Sequence, residues 1–371
     1  MASEIISGGV GAELKDPRRL ELIEKLDRAR GGNADCAQEV WAALWLCSVE
    51  KLEEYVKQIE MSPSSLAATS LYTKVVLTDI IKPWLTSGTK KSYASSGPGT
   101  PVGGAASPAS PSTPTTTSST TPNPRKRLRL DTTVSSPAAD SPRSAAAKDL
   151  SLERDGEICV ITKMGICAES AHIYPYSLRE RAGRKCERFW TALSMFWPQS
   201  TIDEWKADVF GGTNTELCAN RITLSPDAHA YWDKGLFAFK PVSMSEDKKT
   251  LKLEFHWLWP VPRSSTMVLS NPPTLEESLD RSNKEVCLFD ATTDLRIKSG
   301  HEIIMKTDDP LRRPLPSIKL LKLQWALQRL ASLSGAAEAI DELLDSDDEG
   351  DHDMVRLYES QEDFCEIDDV F

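Results

Sequence analysis

Between Cys159 and Gly235 the chain holds a histidine in an Ala-His-Ile-x-Pro setting (Ala171 to Pro175), an asparagine at 220 and a second histidine at 229. The second histidine sits within Ser225-Pro226-Asp227-Ala228-His229-Ala230-Tyr231-Trp232. Each of the first three residues favours a helix start there. Serine is a preferred N-cap residue, proline has no N–H to leave unpaired, and the aspartate meets the positive end of the helix dipole. Gly235 supplies the stop. His229 then lies about one turn into the helix, with Asp233 one turn further along the same face. His172, beside isoleucine and ahead of Pro175, reads as the end of a strand. A strand histidine and a helix histidine, far apart in the chain, confine this region to an α+β arrangement.

The residue types suggest a chemistry. Cleaving a phosphodiester requires water to lose a proton and a charged oxygen to be neutralised, tasks suited to an imidazole and a metal ion respectively. Aliphatic and aromatic positions between the two histidines, including Phe189, Trp190, Leu193, Phe196, Trp197 and Trp205, fall at helical spacing and read as core. Arg179, Arg181, Arg184, Lys185 and Arg188 precede or accompany them as a basic strip suited to phosphate contact.

The set His172, Asn220 and His229 resembles the HNH nuclease family, in particular HNH domains of fungal proteins. The resemblance implies a ββα-metal fold with one divalent ion. It implies His172 as general base, Asn220 as the residue that orients this histidine or braces its loop, and His229 as metal ligand, with Asp233 or Glu169 as further donors. Mg²⁺ or Mn²⁺ is the expected ion, with Zn²⁺ admissible. This chain departs from the family pattern in having Ala171 where many members carry a second ligand. The Cys-x-x-Cys pairs of structural zinc are also missing, with Ser225 and Ala228 at the second pair's places. Magnesium tolerates the first departure because it keeps several waters and takes few protein ligands.

Net charge excludes less than it seems to. The total is −11, but residues 341–371 hold 14 acids against Arg356 alone, so the rest of the chain carries +2 and nucleic acid remains an admissible partner. The acidic tail suits a basic protein partner or competition for a cationic site. Eight scattered cysteines read as reduced thiols, and no apolar run approaches the ~20 residues of a membrane span.

Around the histidine region the expected organisation has four parts. Residues 1–90 form an all-α module: a helix after Asp16-Pro17, a second from Asp35 to Ile59, and a third from Leu66 to Ile81 ending near Pro83. Trp41 and Trp45 serve as its core or as a groove. Residues 91–149, rich in Ser, Thr, Pro, Ala and Gly, form a disordered linker. Its basic cluster Pro124-Arg125-Lys126-Arg127-Leu128-Arg129-Leu130 reads as a nuclear import signal. Residues 150–335 form the HNH nuclease-like domain and 336–371 the acidic disordered tail. Within the domain the expected strands are Ile158 to Thr162 and one around His172. A hairpin over 236–242 and 251–257 follows, then strands 287–289 and 302–305 paired with each other. An amphipathic helix from Ile318 to Leu333 is expected over the ββα unit. The fold class is therefore α+β: a ββα-metal HNH domain with an aromatic helical insertion, a flanking β-hairpin and a C-terminal helix, preceded by an all-α module and a disordered linker. The expected function is metal-dependent endonuclease hydrolysis of DNA in the nucleus, with DNA favoured over RNA. The alternative is a non-catalytic nuclear binding or regulatory protein on a degenerate HNH fold.

Overall fold

Strands β4 (Phe237–Met244) and β5 (Thr250–Trp257) form the expected hairpin, paired from Phe237↔Trp257 to Met244↔Leu251. The register slips between Pro241 and Ser243, where proline has no amide for the ladder. Phe237, Phe239, Leu251, Leu253 and Phe255 are fully buried, and their rings meet in tilted and edge-on contacts. The structure is a computed structural model that describes residues 11–30, 32, 35–61, 75–85, 144–211, 215–258, 261–264, 266–273 and 286–336. The basic cluster at 124–130, most of the expected linker, residues 66–74 of the expected third helix and the acidic tail lie outside the described residues.

The C-terminal helix Ile318–Leu333, capped by the Ser317 hydroxyl on the amides of Lys319 and Leu320, is buried along most of its length. It packs chiefly on β4 and against two helices, α2 (Gln38–Leu46) and Gln199–Phe210, rather than over the ββα unit alone. Two of its buried glutamines bond to backbone. Gln324 Oε1 accepts from Phe239 N at 3.1 Å, and Gln328 Nε2 donates to Trp232 O at 3.1 Å.

The N-terminal segment is largely helical, as expected, and its described helices share one hydrophobic core with the described residues from 144 onward. Trp41 and Trp45, expected as core or groove, are buried, and their indole N–H groups donate to Asn271 O and Leu269 O at 2.9 and 3.0 Å. Trp84 stacks on Phe189 at 6.3 Å. The helix expected over 35–59 is broken. A two-residue strand, β1 (Asp35–Cys36), pairs with β6 (Met267–Val268), and α2 then ends at extended Cys47. α3 (Val49–Met61) restarts after Ser48, whose hydroxyl accepts from Lys51 N. Hydrophobic spacing runs through this break unchanged, because a serine cap interrupts the hydrogen-bond ladder and not the apolar pattern. α1 (Pro17–Ala29) begins where expected, with the Asp16 carboxylate on Arg19 N. Pro83 does not end the third helical segment: a π-helical turn at Val76–Ile81 runs into α4 (Lys82–Leu85), which contains it.

The structured C-terminal part begins earlier than residue 150, with α5 (Ala145–Arg154) capped by Ser144. The strand expected over 158–162 is a turn-rich knuckle instead, with positive φ at Glu157, Lys163 and Cys167. Cys159 N bonds Met164 O and Lys163 N bonds Cys159 O, folding the backbone into a turn that meets β3 through a single bond, Val160 N to Thr223 O at 3.0 Å, and not through a ladder. The true ββα unit comprises β2 (Glu169–His172), β3 (Arg221–Leu224) and α8 (Pro226–Asp233). The aromatic insertion forms α6 (Arg184–Ser194) and α7 (Gln199–Phe210) between the two strands; the C-terminal helix is α9.

One further pairing differs from expectation. β9 (His301–Lys306) joins β5 as the third strand, while β7 (Phe289–Asp290) pairs with β8 (Leu295–Arg296). Asp290 Oδ1 accepts from both the amide and hydroxyl of Thr292, so the chain turns back at once and the tight hairpin forms locally.

Arg154 ties this frame together. It forks onto both oxygens of Asp155 at 2.7 and 2.8 Å and donates to Cys218 O, Arg221 O and Pro314 O. Both charged side chains are withdrawn from solvent. Arg154→Leu strands the Asp155 carboxylate in the interior, and urea unfolding should show a loss of about 3–5 kcal/mol.

Candidate active site

β2 and β3 pair antiparallel over four residues, from Glu169↔Leu224 to His172↔Arg221. Successive side chains alternate faces, so Ala171 is buried against the core while His172 remains partly exposed. Trp232 Nε1 donates to His172 O at 3.2 Å, tying α8 to the end of β2.

Asn220 is spent on backbone. Its Oδ1 accepts from Tyr174 N at 2.7 Å, and its Nδ2 donates to Tyr174 O at 3.2 Å and Thr215 O at 3.0 Å. This buried amide holds the turn after β2 to the turn before β3. Of the two roles expected for it, this geometry is that of the brace; the imidazole of His172 is held by another residue.

That residue is Glu216. Its Oε1 lies 2.8 Å from His172 Nε2, and its Oε2 accepts from Arg221 Nη2 at 2.6 Å and from Ser144 N at 2.9 Å. Burial alone pushes the carboxyl upward. The hydrogen bond and charge of His172, the Ser144 amide and the Arg221 guanidinium outweigh it and bring the value down from 4.5 to about 2. Glu216 belongs to the stretch read as aromatic insertion and carries no motif of its own. The only signal was its position four residues before Asn220, too weak to single it out.

His229 faces two carboxylates. Its Nδ1 lies 2.6 Å from Glu169 Oε2, and its Nε2 lies 3.8 Å from Asp233 Oδ1, one turn along α8. An ionised carboxylate only accepts, so the neutral ring carries its proton on Nδ1 and presents the Nε2 lone pair beside Asp233. Glu169, weighed as a metal donor, is in this structure the hydrogen-bond partner of His229 Nδ1. Carboxylate support behind a ligating imidazole is a general feature of metal sites.

His172 and Asp233 line one small pocket together with Trp84, Leu85, Trp232 and Gln328. The N-terminal segment thus supplies part of the wall. Tyr176 lies 5.7 Å from the His172 ring, and the Arg179 guanidinium covers Tyr176 at 4.2 Å. Among the described residues no cluster of three or more His, Cys, Asp or Glu side chains is arranged to hold a metal. The pair His229 Nε2 and Asp233 fits an ion such as Mg²⁺ or Mn²⁺, which completes its shell from water and phosphate. It does not fit a four-ligand structural zinc.

Glu216 makes stability pH-dependent in a defined direction. Its folded value lies below its ordinary one, so its contribution is complete above pH 4.5 and lost as pH falls toward about 2. The melting temperature of the wild type should therefore fall more steeply with decreasing pH across that window than that of Glu216→Gln.

Residues 159–240 match the family model described as HNH endonuclease. Neither a curated protein nor a solved structure matches the chain.

Proposed function

We propose, from the premise that residues 159–240 form an HNH-family endonuclease domain, that the chain hydrolyses phosphodiester bonds of DNA with one divalent metal ion. The observation that carries this reading is the shared pocket of His172 and Asp233, the latter paired along α8 with His229. His172 takes a proton from water, the oxygen of that water bonds to phosphorus, and the bond to the departing sugar oxygen breaks. The departing oxygen then takes a proton from solvent. His229 and Asp233 would hold Mg²⁺ or Mn²⁺, which when bound neutralises charge on the phosphate and the leaving oxygen. Asn220 keeps the two turns in place, and the Trp232 indole holds the backbone of His172. The basic residues from Arg179 to Arg188 suit the phosphate backbone of the substrate.

Nicking of supercoiled plasmid by the full chain tests the reading, since the N-terminal helices share the core. Cleavage with Mg²⁺ or Mn²⁺ should fall about 10²- to 10⁴-fold in His172→Ala. The small donor set favours a second reading, a binding protein on a retired HNH fold. DNA retention without nicking under either metal selects that one.

Localisation in the nucleus completes the proposal and is supported by the compact basic cluster at 124–130. A reporter fused to residues 91–149 should enter nuclei and lose entry when Arg125, Lys126 and Arg127 are replaced together.

A further inference from the structure

We propose that Glu216 is the positioning residue for His172, fixing the ring's orientation and making Nδ1 its basic nitrogen. The proposal rests on the nuclease reading for its catalytic consequence, while its structural part stands apart from it. Three elements converge on this one carboxylate: β3 through Arg221, the start of α5 through the Ser144 amide, and the end of β2 through His172. Arg221 alone would balance the negative charge. The second oxygen is nevertheless directed to an imidazole that lines the pocket.

The tautomer follows from the donor inventory. An ionised carboxylate has no proton to give, so in the contact at 2.8 Å Nε2 of His172 must be the donor. In the neutral ring the lone pair that can accept a proton is then on Nδ1. When Nδ1 takes the proton of the attacking water, the ring becomes a cation whose charge lies against a carboxylate already in place. No group has to reorient as that charge develops. Glu216 itself keeps no proton in the step; it orients the ring and stabilises its charged form, as the carboxylate of a serine-protease triad does.

Among the described residues, the charged and titratable groups around His172 include Glu216 itself, Arg221 opposite it in the ladder, Asp233 in the same pocket, and Tyr176, whose ring Arg179 covers. Glu216 has almost no exposed side-chain surface, against 14% for His172. The carboxylate is thus held from behind and the ring is the member that meets solvent.

Two measurements on the full-length chain test this. Long-range ¹H–¹⁵N spectra of ¹⁵N-histidine-labelled protein at mildly alkaline pH report the tautomer directly, with the His172 signal identified by its loss in His172→Ala. Wild type should show a protonated Nε2 and an unprotonated Nδ1; a proton on Nδ1 overturns the proposal whether or not the chain cuts DNA. In plasmid nicking, Glu216→Gln should lower kcat by about 10²-fold or more while KM changes by less than about threefold. Wild-type kcat in that variant overturns the positioning role. A wild type that cuts nothing with any metal yet shows protonated Nε2 removes the nuclease reading and leaves the arrangement of the ring standing.

Discussion

A ladder of four residue pairs whose strands lie nearly fifty residues apart in the chain is too short to hold itself together. What secures β2 against β3 is the pairing of buried polar groups around its ends. Asn220 satisfies the Tyr174 backbone at one end, and Arg154 and Asp155 take Arg221 O and Thr223 N along the other edge. Each of these groups, left unpaired in the interior, costs about 1–3 kcal/mol. The histidine positions inherit their precision from this stitching. His172 ends one strand of the ladder, and His229 sits on the helix that follows the other.

The two histidines receive parallel treatment. Each ring has one nitrogen against a carboxylate, Glu216 for His172 and Glu169 for His229. The environments differ in depth. Glu216 is buried and held by three donors, whereas Glu169 is only partly buried. On the reading proposed above, a buried charged partner suits a ring that gains a proton, and a more exposed partner suits a ring whose lone pair would face a cation.

Much of this was legible in the amino-acid order. The α8 start was marked by Ser225-Pro226-Asp227, the hairpin by alternation on both sides of a polar turn, and α9 by its leucine spacing. Those signals are local, and local signals survive folding. The breaks were less visible: Ser48 splits a helix without disturbing its apolar rhythm, and the knuckle at 158–162 carries strand-forming residues that close on themselves. Partnerships across the chain were not visible at all. Nothing about β9 shows that it would choose β5, and nothing about Glu216 shows that it would meet His172, 44 positions away. Such choices are made by three-dimensional packing, which a single sequence does not display.

Trp84 carries a consequence of its own. It lies against Phe189 and Tyr174 and also walls the pocket beside His172, although a long stretch of chain separates it from both. Any fragment that starts at α5 would leave those rings facing water and the pocket beside His172 open on one side. The two halves are therefore complements, and a chain severed between them would keep this pocket only while both pieces remained associated.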